Sequence, residues 1–160
     1  VWGPGMSAHY TTVLRMIDKG LFFHSGHGAL YKSYSYAENI AHQYAQILLA
    51  PDKTIHGKVF YLADYEPFSL RDYVDRIADE MGKRRPITVP LAAARVLALI
   101  GDVLTRLGLR FPYTSFRLKN IRTEYVFDMS KTENACGPVP VPFGEGVQRT
   151  VEWYLAMKPR

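Results

Sequence analysis

Tyr154 and Lys158 stand four residues apart, the spacing that sets a lysine one helical turn beyond a tyrosine on the same face. A cation placed there can lower a phenol's pKa and let it exchange a proton with an alcohol or ketone. The surroundings favour a plainer role. The pair sits beside Pro159, on an inward-facing helical stripe with Val147 and Val151. Tyr154 is therefore read as core and Lys158 as the cation of a helix C-terminus. Gly3-Pro4-Gly5-Met6-Ser7-Ala8 matches the glycine spacing of a dinucleotide-binding turn. Pro4 lacks an N–H, and no acidic residue follows at about 20 residues, where the cofactor ribose needs one. A strand-to-helix turn is the reading. The histidines His9, His24, His27, His42 and His56 show no metal-ligand spacing. Asp64, Glu66, Asp72 and Asp75 fall in a turn and on the polar face of a helix, not in a catalytic carboxylate pair.

Lys32 has a different setting. It follows the Gly26-His27-Gly28 turn and opens the aromatic run Tyr34-Ser35-Tyr36. A long cation there either reaches into a cleft or ends a strand in solvent, and the residues alone leave both open. Net charge is +5, compatible with scattered solvated side chains or with an anionic ligand. The densest cluster, Lys83-Arg84-Arg85, is three residues in a loop with no interleaved aromatics, too short for a nucleic-acid stripe. One cysteine, Cys136, excludes an intrachain disulfide and fits a reducing cytoplasm. The apolar run from Leu91 to Leu107 contains Arg95, Asp102 and Arg106 and is too short to span a bilayer.

Apolar periodicity and punctuation place the elements that must position these groups. Helices are expected over His9–Lys19, Glu38–Ala50, Ser69–Met81, Pro90–Leu107 and Gly146–Met157. In the second, the stripe Ile40, Tyr44, Ile47, Leu48 is expected to face inward. In the third, Ser69 with Asp72 resembles a capping box. Strands are expected at Phe22-Phe23-His24, Tyr34-Ser35-Tyr36, Val59–Leu62, Ile87-Thr88-Val89 and Tyr125-Val126-Phe127. Val59–Leu62 is apolar on both faces, as in a strand covered on both sides. The reading is one α/β unit over residues 1–160, with about five helices and short strands.

Several stretches, in order, resemble the extended short-chain dehydrogenase/reductases, the NAD-dependent epimerase/dehydratase family. These are Val1-Trp2-Gly3-Pro4-Gly5, the run from Gly26 to Ala41, Gly57–Leu62 with Glu66-Pro67 and Ser69, Phe127-Asp128-Met129-Ser130-Lys131, and Glu145–Trp153. Thr114-Ser115-Phe116-Arg117, and Asn39 where sugar-nucleotide enzymes favour Asp, look like the 3-beta-hydroxysteroid and sterol dehydrogenase branch. Leu118-Lys119-Asn120-Ile121 stands where sugar-nucleotide epimerases carry Arg-x-Gly-Asp.

The resemblance implies the C-terminal, substrate-binding part of an extended Rossmann-type enzyme, with the dinucleotide-binding part and the Tyr/Lys pair upstream of Val1. It implies an NAD(P)-dependent epimerase, dehydratase or dehydrogenase acting on a secondary alcohol or ketone, the substrate being a sugar nucleotide or hydroxysteroid-like. The 160-residue chain is expected to bind no NAD or NADP and to be inactive by itself. Lys32 falls where the family places a phosphate-contacting Arg, and Phe22, Phe23, His24 and Ser25 fall on its base-contacting strand. Arg117 and Lys119 are further substrate-side candidates. The expected partner is a small molecule, with no nucleic acid and no membrane span, and a homodimer of the full-length parent is compatible with the resemblance. Two other readings stand beside this one: a non-catalytic binding module, and a weak nucleic-acid binder using Lys83, Arg84 and Arg85.

Overall fold

Trp2 is the residue around which the chain packs. In the computed structural model, which describes residues 1–109 and 111–158 and gives only the backbone of His9 and Asp52, the Trp2 side chain is buried. Its indole meets Tyr36, Tyr73, Phe68 and Phe143 edge-on at 4.8, 5.2, 5.8 and 5.8 Å between ring centroids, the arrangement ring quadrupoles favour. Gly146 makes room for it, since a Cβ there would come within 2.8 Å of the indole.

The elements around this centre are α1 (Ala8–Asp18), β1 (Phe23–Ser25), β2 (Tyr31–Lys32), α2 (Ala37–Leu49), a short α3 (Asp52–Ile55), β3 (Phe68–Ser69) and α4 (Leu70–Glu80). They continue with β4 (Ile87–Val89), α5 (Leu91–Arg106), α6 (Ser115–Arg122), α7 (Ser130–Cys136) and α8 (Phe143–Ala156). β1 pairs in parallel with β4, with Phe23 opposite Ile87, and β2 pairs antiparallel with β3, with Lys32 opposite Phe68. The α/β reading holds, and all five expected helices form within two or three residues of their expected ends. α4 begins as the capping box requires: Ser69 Oγ accepts from the Asp72 N–H at 3.0 Å and donates to Asp72 Oδ2 at 2.7 Å. Its stripe of Tyr73, Val74, Ile77 and Ala78 is buried, packed against α8 and α1.

Three expected strands do not form as strands. Tyr34-Ser35-Tyr36 makes a single parallel bridge, Tyr36 to Trp2, and Tyr125 makes another, to Lys32. Val59–Leu62 has no strand partner, and Val59 is 73% exposed. Side chains take its carbonyls instead: Lys131 Nζ donates to Val59, Thr132 to Tyr61 and Ser35 to Leu62, at 3.2, 2.6 and 3.2 Å. An extended segment satisfied this way needs no ladder.

α2 also differs from expectation. Tyr44 and Leu48 are exposed, while the fully buried side chains are the amides Asn39 and Gln43. Asn39 donates to Asp64 Oδ1 at 2.7 Å and to the Val141 carbonyl at 2.9 Å, and accepts from the Val141 N–H at 3.0 Å. Asp64 also accepts from the Trp2 indole N–H at 3.2 Å and the Tyr36 N–H at 3.0 Å. Burial pushes the Asp64 carboxyl above its ordinary value, opposed by those donors.

A smaller second core joins α5 to α6 through Ala94, Ala98, Tyr113 and Leu118. Here Gly101 lets the Tyr113 carbonyl approach, because a Cβ on it would fall 1.9 Å from that oxygen. The glycine that interrupts the helical pattern is thus the point of closest contact.

At the far end, Tyr154 is buried and its hydroxyl reaches Asp18 Oδ2 at 3.3 Å. The Asp18 carboxylate is buried too, paired with Lys158 and, at 3.4 Å, with Lys83. The hydrogen bond from Lys158 leads in holding its carboxyl below the ordinary value.

Three outcomes follow. Asn39→Asp removes both amide donors and sets a second carboxyl against Asp64, and urea denaturation at neutral pH is expected to show a loss on the order of 3 kcal/mol. The loss shrinks in acid, where one carboxyl takes a proton. Gly101→Ala is expected to cost at least about 1–3 kcal/mol by overpacking, whereas Gly5→Ala, with open space around it but a φ of +79°, meets backbone strain and no clash. For Asp18 the folded-state pKa is depressed, so its stabilisation is complete above the unfolded value near pH 4 and is lost as pH falls further. Asp18→Asn is expected to cost about 1 kcal/mol at neutral pH, with the gap to the unsubstituted protein closing in melts below that value.

Candidate functional site

Alternation along β2 decides where Lys32 goes: Tyr31 turns out and Lys32 turns in. Only 6% of the lysine is exposed, so it is not a solvated strand end. Its Nζ donates to the Asn120 carbonyl on α6 and lies 4.8 Å from the centroid of the Tyr125 ring. Burial pushes its pKa down, and among the described residues no carboxylate pairs with it.

Lys32 lines a cleft of about 310 Å³. One wall is built from the main core, by Trp2, Tyr34, Phe68 and Tyr73, with Tyr10 of α1 beside them, and the other by Asn120, Ile121 and Tyr125. The lining is aromatic and aliphatic, with few polar groups, the usual make-up of a small-molecule site. Tyr73 is 5% exposed, and its hydroxyl has no hydrogen-bond partner among the described residues. Burial first, then the phenols of Tyr10 and Tyr34, push its pKa well above the ordinary range. Burial likewise raises Tyr34. These phenols stay protonated at neutral pH, as hydrogen-bond donors in apolar surroundings.

The other sequence candidates divide into two places. Phe22, Phe23, His24 and Ser25 line a shallow hollow of about 40 Å³ beside the cleft, bounded by Gly26, Gly28 and Arg71. His24 is buried there, with Nε2 2.8 Å from Asp75 Oδ1. Ser25 Oγ meets the Tyr113 hydroxyl at 2.5 Å. Arg71 donates to the Gly26 carbonyl and Arg122 to that of Ser25, at 3.0 and 3.2 Å. Arg117 and Lys119 lie on the exposed surface of α6, and neither lines the cleft. The residues that sequence reasoning missed are the tyrosines. They converge from α1, α4 and two loops, and only their abundance, eleven in the chain, hinted at it.

No group of three metal-binding side chains occurs among the described residues; the side chain of His9 lies outside them. The Gly3–Ala8 turn does not suit a dinucleotide. A nucleotide-binding βαβ unit needs the strands before and after the helix in one sheet. Here Trp2 bridges Tyr36, while the strand after α1, Phe23–Ser25, pairs with Ile87–Val89.

Comparison with known proteins agrees with this architecture. The chain is 25% identical over 167 residues to human short-chain dehydrogenase/reductase family 42E member 1, covering 98% of this chain and 42% of that protein. It is 26% identical over 158 residues to the 2-alkyl-3-oxoalkanoate reductase of Stenotrophomonas maltophilia, covering 93% of this chain and 47% of the reductase. The chain thus spans under half the length of these relatives. Among solved structures, RMD from Pseudomonas aeruginosa complexed with NADPH superposes with a TM-score of 0.60 at 13% identity, over 96% of this chain and 45% of that one. The family model for 3-beta hydroxysteroid dehydrogenase/isomerases matches residues 1–93. With more than half of its length matched, the chain belongs to the 3-beta hydroxysteroid dehydrogenase/isomerase family, within the extended short-chain dehydrogenase/reductases.

Proposed function

We propose that residues 1–160 are the substrate-binding portion of an NAD(P)-dependent oxidoreductase, and that the aromatic cleft beside Lys32 receives a secondary alcohol or ketone on an apolar, hydroxysteroid-like skeleton. The cleft carries this reading: an apolar chamber with one committed cation and one unpartnered phenol. The family assignment and the share of the relatives' length that the chain spans support it. On this reading the chain's own residues bind and orient. The rings exclude water, Tyr73 donates its free hydroxyl to a substrate oxygen, and Lys32 holds α6 against β2 through the Asn120 carbonyl. The dinucleotide and the proton-exchanging pair fall to the rest of a parent enzyme.

The sequence resemblance also allows a sugar nucleotide, with Lys32 on its diphosphate. Lys32 supports that reading less well, because its ammonium is already engaged by a carbonyl and a ring. Kinetics of the full-length enzyme separate the two. For an apolar alcohol, Lys32→Met is expected to change KM less than about threefold, since no charge-assisted contact to substrate is lost. Tyr73→Phe is expected to raise KM several-fold, in line with one neutral hydrogen bond, while leaving the melting temperature unchanged. A ten- to hundredfold loss on a sugar diphosphate in Lys32→Met, roughly what one charge-assisted contact supplies, would transfer the assignment to that substrate class.

A further inference from the structure

Two side chains stand between the aromatic cleft and the hollow beside it. Leu70 and Ile121 line both the chamber of about 310 Å³ and that of about 40 Å³, and among the described residues no other side chain does. Each is half-buried, and each belongs to a different core. Leu70 opens α4 and packs on the large aromatic core, whereas Ile121 lies near the end of α6 and packs on the small one. The partition is a seam between the two cores.

Each of the pair is held by the residue that follows it. Arg71 donates to the Gly26 carbonyl at 3.0 Å and to Thr88 Oγ1 at 3.1 Å. Arg122 donates to the Ser25 carbonyl at 3.2 Å. Two guanidinium groups, one from α4 and one from α6, thus grip successive carbonyls of a single turn. Gly26 lets them close in, since its φ is +82° and a Cβ there would come 3.1 Å from Arg122 Nη1. On its other side Ile121 follows Asn120, whose carbonyl takes the Lys32 ammonium. These bonds set where the two side chains stand.

The polar side chains that face the hollow are already engaged. His24 meets Asp75 at 2.8 Å, Ser25 meets Tyr113 at 2.5 Å, and Arg71 is on Gly26 and Thr88. What the hollow adds to the cleft is space. We propose that Leu70 and Ile121 set substrate specificity by length: they close the inner end of the cleft, which admits an apolar skeleton up to the point where it meets them. This rests on the reading of the cleft as the substrate site. Each further methylene strengthens binding while there is apolar surface to cover it. Beyond the partition a skeleton has to displace packed side chains, and overpacking weakens binding. A smaller residue at position 70 or 121 joins the hollow to the cleft.

Calorimetry of the full-length enzyme with straight-chain methyl ketones, from octanone to hexadecanone, tests it. Reduced dinucleotide is left out so that no turnover intervenes. Affinity is expected to rise about fourfold per methylene and then to break. Leu70→Ala and Ile121→Ala are each expected to carry the break about two or three methylenes further, into the room the lost side chain leaves. Ile121→Val, the mildest change for folding, is expected to move it by about one, and Leu70→Phe to bring it to shorter ketones. Tyr73→Phe is expected to weaken the whole series by a similar factor and leave the break in place, because it removes a hydrogen bond and no bulk. An affinity that climbs through the series without a break overturns the proposal. So does a break that stays put in the alanine and valine variants; with Tyr73→Phe still weakening the series, the cleft then keeps its assignment as the substrate site. If no ketone binds, or Tyr73→Phe changes nothing, that assignment fails and the length limit falls with it.

Discussion

The fold hangs on one half-buried carboxylate. Asp64 collects the indole N–H of Trp2, the backbone N–H of Tyr36 and the amide of Asn39, three groups that no continuous sheet holds together. Through Asn39 the same knot grips both backbone groups of Val141, one residue ahead of Pro142, which caps α8. An acid with fewer donors would be protonated or expelled under such burial. The donors also fix the depth of Trp2, and with it the aromatic centre against which α4 and α8 pack.

Asn39 stood out in the sequence as a departure from the acidic residue of sugar-nucleotide enzymes, and the structure supplies a local cause. Only an amide can donate to Asp64 and to the Val141 carbonyl while accepting from the Val141 N–H. Packing is therefore enough to account for an amide at residue 39.

What was legible in the sequence was what short-range rules control. α4, with its Ser69 cap and 3.6-residue stripe, and α8, with Val147, Val151 and Tyr154, follow from periodicity. The glycine turn before Lys32 was readable for the same reason. Contacts between distant segments were not. The inner face of α2 is polar because its partners, Ala63, Asp64 and Val141, are carbonyls, an N–H and a carboxylate, so its apolar stripe pointed the wrong way. Val59–Leu62 looked like a buried strand because composition reports apolarity, not whether a neighbouring strand exists to pair with. The Lys32 cleft is assembled from residues as far apart as Trp2 and Tyr125, and no local pattern announces such convergence.

The two walls of that cleft belong to cores of unequal size. The wall of Trp2, Phe68 and Tyr73 is part of the large aromatic core, whereas Ile121 packs on a small cluster built around two alanines, Tyr113 and Leu118. Local opening draws on the least buried apolar surface. Hydrogen exchange is therefore expected to be faster across α5 and α6 than across α4 and α8, with the chamber opening by displacement of its α6 side. The fixed wall sets the shape a ligand must match, and the yielding wall sets how quickly it enters and leaves.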